Sequence, residues 1–377
     1  MTTFIYLSCF NPMNRFNYKF YLPIFLVFLT FCASAQTEYI DYRSATNPLY
    51  WKNRKPFEGY WQQDVHYNIK AELNDSTDII TGNEELTYWN NSPYDISFVY
   101  FHLYNNAQNK NSYAADLYKN NNYNLQFGKY RSKNLGTQVE KITVNGQELK
   151  TELDNTILKV YLPKPLKSGS SLTMILDFKT YFDVEAIRNR MKMFNAFGYK
   201  HYDIVHWYPR VTVIDSKFAW NTDQHMDHEF YGDFGSFNVE MTLPNNYVAD
   251  GTGTLLNEKE VLPDSLRKKL DISNFLKKPF NSPPSVITKR DGTKKTWKFS
   301  AINVHDFAFT TDPTYRIGES NWDGVRCIAL VQEPHAAGWY NCTKYIAKIL
   351  EVNSYNIGPY HHPKMIVADA QDGMEYP

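Results

Sequence analysis

Ile142-Thr143-Val144-Asn145-Gly146-Gln147-Glu148-Leu149 reads as two short strands joined by a two-residue turn. Asn-Gly accepts the positive φ angles of a type I′ turn at little cost, and the twist of that turn suits antiparallel strands. The same texture extends outward on both sides. Tyr67–Leu73 alternates polar and apolar side chains, and Gly82–Asn90 and Ile96–Leu103 are further strands. Downstream, Asn155–Leu162, Leu172–Phe182 and Ser236–Leu243 continue the pattern. Short strands at regular spacing, with turn residues between them, predict an antiparallel β-sandwich or saddle over residues 36–300. Aromatics make up 16% of the 377 residues, which favours strands, where such side chains fit a pleated, half-buried surface.

Two stretches interrupt this pattern. Asn106–Asn122, rich in Asn, Tyr and Lys, reads as a long surface loop with room for a helical turn. Glu258–Pro284, with its Lys runs and closing Pro-Pro pair, reads as a surface insertion with solvated charges. Asp291-Gly292 is expected to turn a second hairpin into Lys295–Ala301.

After Asp312 the texture changes. Val325–Val331 is a buried-type strand. From Pro334 a helix is expected to about Tyr355, with Trp339, Cys342, Ile346, Ile349 and Leu350 at helical spacing and Gly358-Pro359 ending it. Met365–Ala370 is another apolar strand. The expected class is therefore mainly β: an antiparallel β domain over 36–300, then the truncated start of an α/β domain over 301–377.

The N-terminus reads as an export signal over residues 1–35. Lys19 precedes an apolar run from Phe20 to Cys32, and Ala33-Ser34-Ala35 offers a small-residue cleavage site before Gln36. The run is shorter than the ~20 residues of a spanning helix, so no stable membrane span is expected. Secretion, or delivery to the periplasm or cell envelope, follows. Cys9 and Cys32 fall in this leader. Cys327 and Cys342 remain, as one disulfide or as two buried thiols, and a disulfide framework is excluded. Lys plus Arg and Asp plus Glu both number 40, so the chain has no global attraction to nucleic acid.

No His-Glu-x-x-His occurs, the helical spacing that puts two imidazoles on one face for a zinc ion. His225-Met226-Asp227-His228-Glu229 holds three ligand types but lacks helical periodicity, and reads as solvated loop polar residues. His361 and His362 are adjacent on an extended segment, where neighbours point to opposite faces. The informative segment is Gly358-Pro359-Tyr360-His361-His362-Pro363-Lys364, followed by a strand and then Asp372-Gly373-Met374-Glu375-Tyr376-Pro377.

That order resembles the gluzincin zinc aminopeptidases, the family of membrane alanyl aminopeptidase. There a helix, a G-x-Y-x-x-P-K stretch, a strand and a G-x-M-E-N loop precede the zinc helix. Here the loop is Asp372-Gly373-Met374-Glu375-Tyr376, with Asp for the first Gly and Tyr for the final Asn. The resemblance extends upstream through Trp207-Tyr208-Pro209-Arg210 with Asp215, Glu229–Phe234, Phe237–Pro244, Val248–Gly253 and Asn303–Phe309. It implies that the α/β start is thermolysin-like and that the complete protein binds Zn2+ through ligands beyond Pro377. It also implies that peptides are the substrates. By position Glu375 is the anchor for the substrate α-amine, with the backbone of Gly373 and Met374 pairing with the extended peptide. No catalytic or metal-binding residue is expected within this chain. The family's second amine ligand, a Gln shortly before the W-Y-P segment, has no match in Tyr199–His206, and Gln224 lies on the wrong side.

Two other functions fit the same residues. A non-catalytic relative would use the scaffold for peptide binding or as an envelope interaction module. An unrelated β-sandwich would bind glycans through aromatic side chains exposed together on one face.

Overall fold

The structure, a computed structural model, describes residues 42–183, 191–226 and 230–370. The leader over 1–35, then Asp227, His228 and Glu229, and finally Gly373, Met374 and Glu375 lie outside the described residues. Among the described residues no helix is long and apolar enough to cross a membrane.

The protein is mainly β. Its largest sheet has eight strands, in the order Thr254–Leu255, Lys294–Val304, Gly235–Pro244, Asp64–Asn74, Ile79–Trp89, Ser171–Tyr181, Thr137–Val144 and Gln147–Glu148. Neighbours run antiparallel except Asp64–Asn74 and Gly235–Pro244, which are parallel. The period-2 pattern decides which face is buried. Val65, Tyr67, Ile69, Ala71 and Leu73 all point inward, none more than 6% exposed.

Against this face packs a four-stranded sheet of Arg210–Val211, Ile96–His102, Ile157–Leu166 and Thr151–Asp154. Val99, Phe101, Leu158 and Val160 join the same core as Tyr67 and Ile69. Each such fully buried side chain contributes roughly 1.5–3 kcal/mol. A second four-stranded sheet combines Val248–Gly251, Phe309–Asp312, Tyr199–Ile204 and Lys192–Ala196.

The hairpin at Asn145-Gly146 forms as expected, with φ of 49° and 78°. A hairpin that the sequence reading passes over forms at Phe197-Gly198, with φ of 52° and 84°. Phe at positive φ is rare, so nothing local announces that turn. The hairpin expected at Asp291-Gly292 does not form. Gly292 turns at φ +84°, but no strand precedes it, and Lys294–Val304 pairs with Gly235–Pro244 and Thr254–Leu255 instead.

Two expected loops are more ordered than their composition implies. Within Asn106–Asn122, Ser112 caps a helix over Tyr113–Asn120 by accepting a bond from the Ala115 N–H. Asn105, Asn106, Gln108 and Asn109, just before it, are buried. Glu258–Pro284 folds into helices Glu258–Val261 and Asp264–Leu270 and a 3-10 turn, burying Leu262, Leu270, Ile272 and Phe275. Its charges are not all solvated. Arg326 forks onto both Glu258 oxygens at 2.9 and 3.1 Å.

The final part is a three-stranded sheet of Tyr315–Trp322, Val325–Gln332 and Lys364–Ala368. The first pair is an antiparallel hairpin about Asp323-Gly324, and the second pair is parallel. The crossover is helical, but the expected single helix is broken. A 3-10 turn at Glu333–His335 and a short helix Ala336–Trp339 precede the main helix Cys342–Asn356. Ile346 and Leu350 pack inward, whereas Ile349 faces solvent. Cys327 and Cys342 are free thiols, and burial pushes both up in pKa.

Candidate functional site at the carboxyl ends of the parallel strands

In α/β sheets ligands gather beyond the carboxyl ends of parallel strands. Here Val325–Gln332 and Lys364–Ala368 end side by side. Asp369 extends the pairing, its N–H donating to the Leu330 carbonyl at 2.8 Å. Its carboxylate accepts the Gln332 N–H at 3.3 Å and pairs with His335 Nδ1. The Tyr315 hydroxyl donates to the Asp369 carbonyl at 3.3 Å. Asp369 is therefore held at its N–H, its carbonyl and its carboxylate.

Facing this point is a buried polar cluster from the neighbouring four-stranded sheet. His201 is fully buried, with Nδ1 3.0 Å from Asp312 Oδ2 and Nε2 3.0 Å from Asp203 Oδ1. Burial opposes a charge on this ring, but the hydrogen bonds and charges of the two carboxylates overcome it and hold the pKa up at about 9. Both ring nitrogens then donate, and the Gln332 amide turns its N–H to Asp312 at 3.2 Å. Thr310 Oγ1 donates to Asp203 at 2.9 Å and meets the Tyr315 hydroxyl at 2.7 Å. Phe194 stacks on the His201 ring at 4.5 Å. One connected network thus joins strand Tyr199–Ile204 to Tyr315 and Gln332 of the final sheet.

The stretch Tyr199–His206, which holds no Gln, supplies His201 and Asp203 to this network. His206 lies elsewhere, buried at φ +57° and packed on Phe230 and Tyr104 at 3.5 and 5.0 Å between ring centroids. His201 escaped the sequence reading because its second acceptor, Asp312, lies 111 residues away. The one local signal was the His-x-Asp pair on a single strand face.

Trp207-Tyr208-Pro209-Arg210 is a core element. Trp207 Nε1 donates to the Phe307 carbonyl at 3.1 Å, and Tyr208 OH donates to Asp306 at 2.6 Å. Arg210 is buried with Asp306 at 3.8 Å. Gln224 accepts from the Thr156 N–H and hydroxyl at 3.0 and 2.7 Å, so it fastens a strand end. His225 packs edge-on against Tyr104. His361 and His362 both border a cavity of about 330 Å³ with Tyr42, Trp51 and Phe234, away from the Asp369 network.

The fold is that of the N-terminal part of the M1 zinc metallopeptidases. Two solved structures from Deinococcus radiodurans, an M1 zinc metallopeptidase and a point mutant of it, match with a TM-score of 0.50. They are 16% and 17% identical to this chain, and each match covers 81% of it. The chain spans 56% of the length of those proteins. No family model matches the sequence, and no curated protein does. The fold family implies zinc, but among the described residues no three His, Cys, Asp or Glu side chains are placed to hold a metal. The described residues do not fit the ion.

Proposed function

We propose that this chain supplies the amine-recognition side of an exported zinc aminopeptidase whose metal ligands come from sequence beyond residue 377. What supports the reading is the way Asp369 is held. Asp369, in sequence four residues before Gly373, sits at the carboxyl ends of two parallel strands, in a fold shared with M1 peptidases over 81% of the chain's length. Glu375 takes the role of anchor for the substrate α-amine. A carboxylate suits that task because a desolvated ammonium needs a charge-assisted acceptor. The backbone of Gly373 and Met374 pairs with the extended peptide as an added strand. Within the chain, the buried Asp203–His201–Asp312 group ties the β domain to the strand that ends at Gln332, and so keeps the recognition side rigid.

The test is a protein extended beyond Pro377 along its own reading frame. It is expected to contain His-Glu-x-x-His within some tens of residues, to bind one zinc, and to cleave unblocked aminoacyl substrates. The 377-residue chain alone is expected to cleave none. An extended protein that carries no such motif yet binds peptides would establish a non-catalytic binding module instead.

A further inference from the structure

The large sheet turns a polar outer face to solvent, with Thr81, Asn83, Glu85 and Thr87 alternating along one of its strands. The smaller sheet of Ile96–His102 and Ile157–Leu166 does not. Its inner face carries Val99, Phe101, Leu158 and Val160, and its outer face carries Phe98, Tyr100, Lys159 and Tyr161. Register places Phe98 opposite Tyr161 and Tyr100 opposite Lys159. Trp220, from the short hairpin Ile214–Asp215 and Ala219–Trp220, leans against Tyr100 at 5.6 Å and Phe98 at 6.4 Å. Four aromatic rings thus share one half-buried outer face. Strand propensity alone does not require that, since the large sheet meets it with polar residues. Grouped aromatics with a polar rim mark interaction surfaces.

The charge on this face is not balanced. Lys159 Nζ sits 4.3 Å from the Phe98 ring centroid and 4.9 Å from that of Tyr161. No carboxylate among the described residues lies within ion-pair distance of it. The neighbouring carboxylate, Glu152, is taken up by Lys150 at 3.1 Å and the Tyr161 hydroxyl at 2.8 Å. Glu152 stands opposite Lys159 in register but beyond ion-pair distance and is shared with Lys150, so two lysines face one carboxylate, which suits a ligand that brings an anion and a flat apolar face together.

We propose that Phe98, Tyr100, Tyr161, Trp220 and Lys159 form a binding surface for an acidic polysaccharide, with sugar C–H faces on the rings and a uronate carboxylate on Lys159. The surface is independent of the peptidase reading. A lipid bilayer suits it less, because the rings lie half-buried in a flat sheet and one surplus positive charge gives little attraction to anionic headgroups.

The experiment titrates the whole chain with polygalacturonate, with a neutral glucan and with anionic phosphatidylserine vesicles, following binding by calorimetry at low salt. The wild type is expected to bind polygalacturonate, with Lys159→Gln about tenfold weaker and Tyr100→Ser weakened to a similar degree. The Lys159 ammonium lies at the surface, so Lys159→Gln is expected to keep the wild-type melting temperature, which separates lost binding from lost folding. Absence of polygalacturonate binding, equal binding by wild type and Lys159→Gln, or binding to vesicles alone would each overturn the proposal.

Discussion

Replacing His201 with Gln removes a buried imidazolium that joins two neighbouring strands of one sheet. Burial alone would discharge the ring, but Asp203 and Asp312, each 3.0 Å away, hold its pKa up to about 9. In the unfolded chain it titrates near ~6.5. A group whose folded pKa is raised gives stability that is fully present below its unfolded pKa. That stability is lost as pH rises through the folded value. The window here runs from about pH 6.5 to just above pH 9. At about 1.4 kcal/mol per pH unit, the gap between the two values amounts to roughly 3 kcal/mol. Urea unfolding of wild type and His201→Gln at several pH values reads this directly, because the other titrating groups are common to both proteins. The advantage of the wild type is expected to shrink by roughly 3 kcal/mol between pH 6.5 and 9.5. Parallel pH profiles, or an advantage that grows with pH, would refute the reasoning.

Two further outcomes concern packing. At Gly82 an added Cβ would meet the Phe178 ring at 2.3 Å, so Gly82→Ala is expected to cost about 1–3 kcal/mol in urea unfolding, and Phe178→Leu in the same chain to recover part of it. On helix Cys342–Asn356, Tyr345, Ile349, Val352 and Tyr355 are exposed, as is Ile357 beyond its end. The isolated chain is therefore expected to self-associate in sedimentation, and Ile349→Glu with Tyr355→Glu to reduce it.

Much of the β architecture was legible because alternation and Asn-Gly turns are local. Strands Asp64–Asn74, Ile79–Trp89 and Ser171–Tyr181 lie where alternation puts them, to within a few residues. The features that escaped depend on distant partners. Glu258 looks like one charge in a soluble run until Arg326, 68 residues on, closes a bidentate pair with it. Asn106 and Asn109, in the expected surface loop, and Asn105 just before it are buried, because their amides satisfy backbone at Asn155, Asn134 and Tyr181. The break after Trp339 in the expected long helix leaves no apolar signature, since Gly338 and Asn341 lower helix propensity without forbidding it. For the candidate site, the approach through Lys364–Ala368 was readable from order. The His201 network was not, because Asp312 comes from a paired strand 111 residues on and Gln332 from a second sheet.

We propose that Glu375, in the segment following Asp369, presents its carboxylate to a substrate amine. Kinetics of the extended protein on matched free-amine and N-acylated substrates, with and without Glu375→Gln, test it most directly. Gln keeps the shape of the side chain and removes its charge. A charge-assisted hydrogen bond to a desolvated ammonium is worth about 1.5–3 kcal/mol, so kcat/KM for the free amine should fall about 10- to 150-fold. Hydrolysis of the N-acylated substrate, already poor, should not change. If the Glu375→Gln enzyme keeps its full preference for the free amine, another group holds the substrate and the account is wrong.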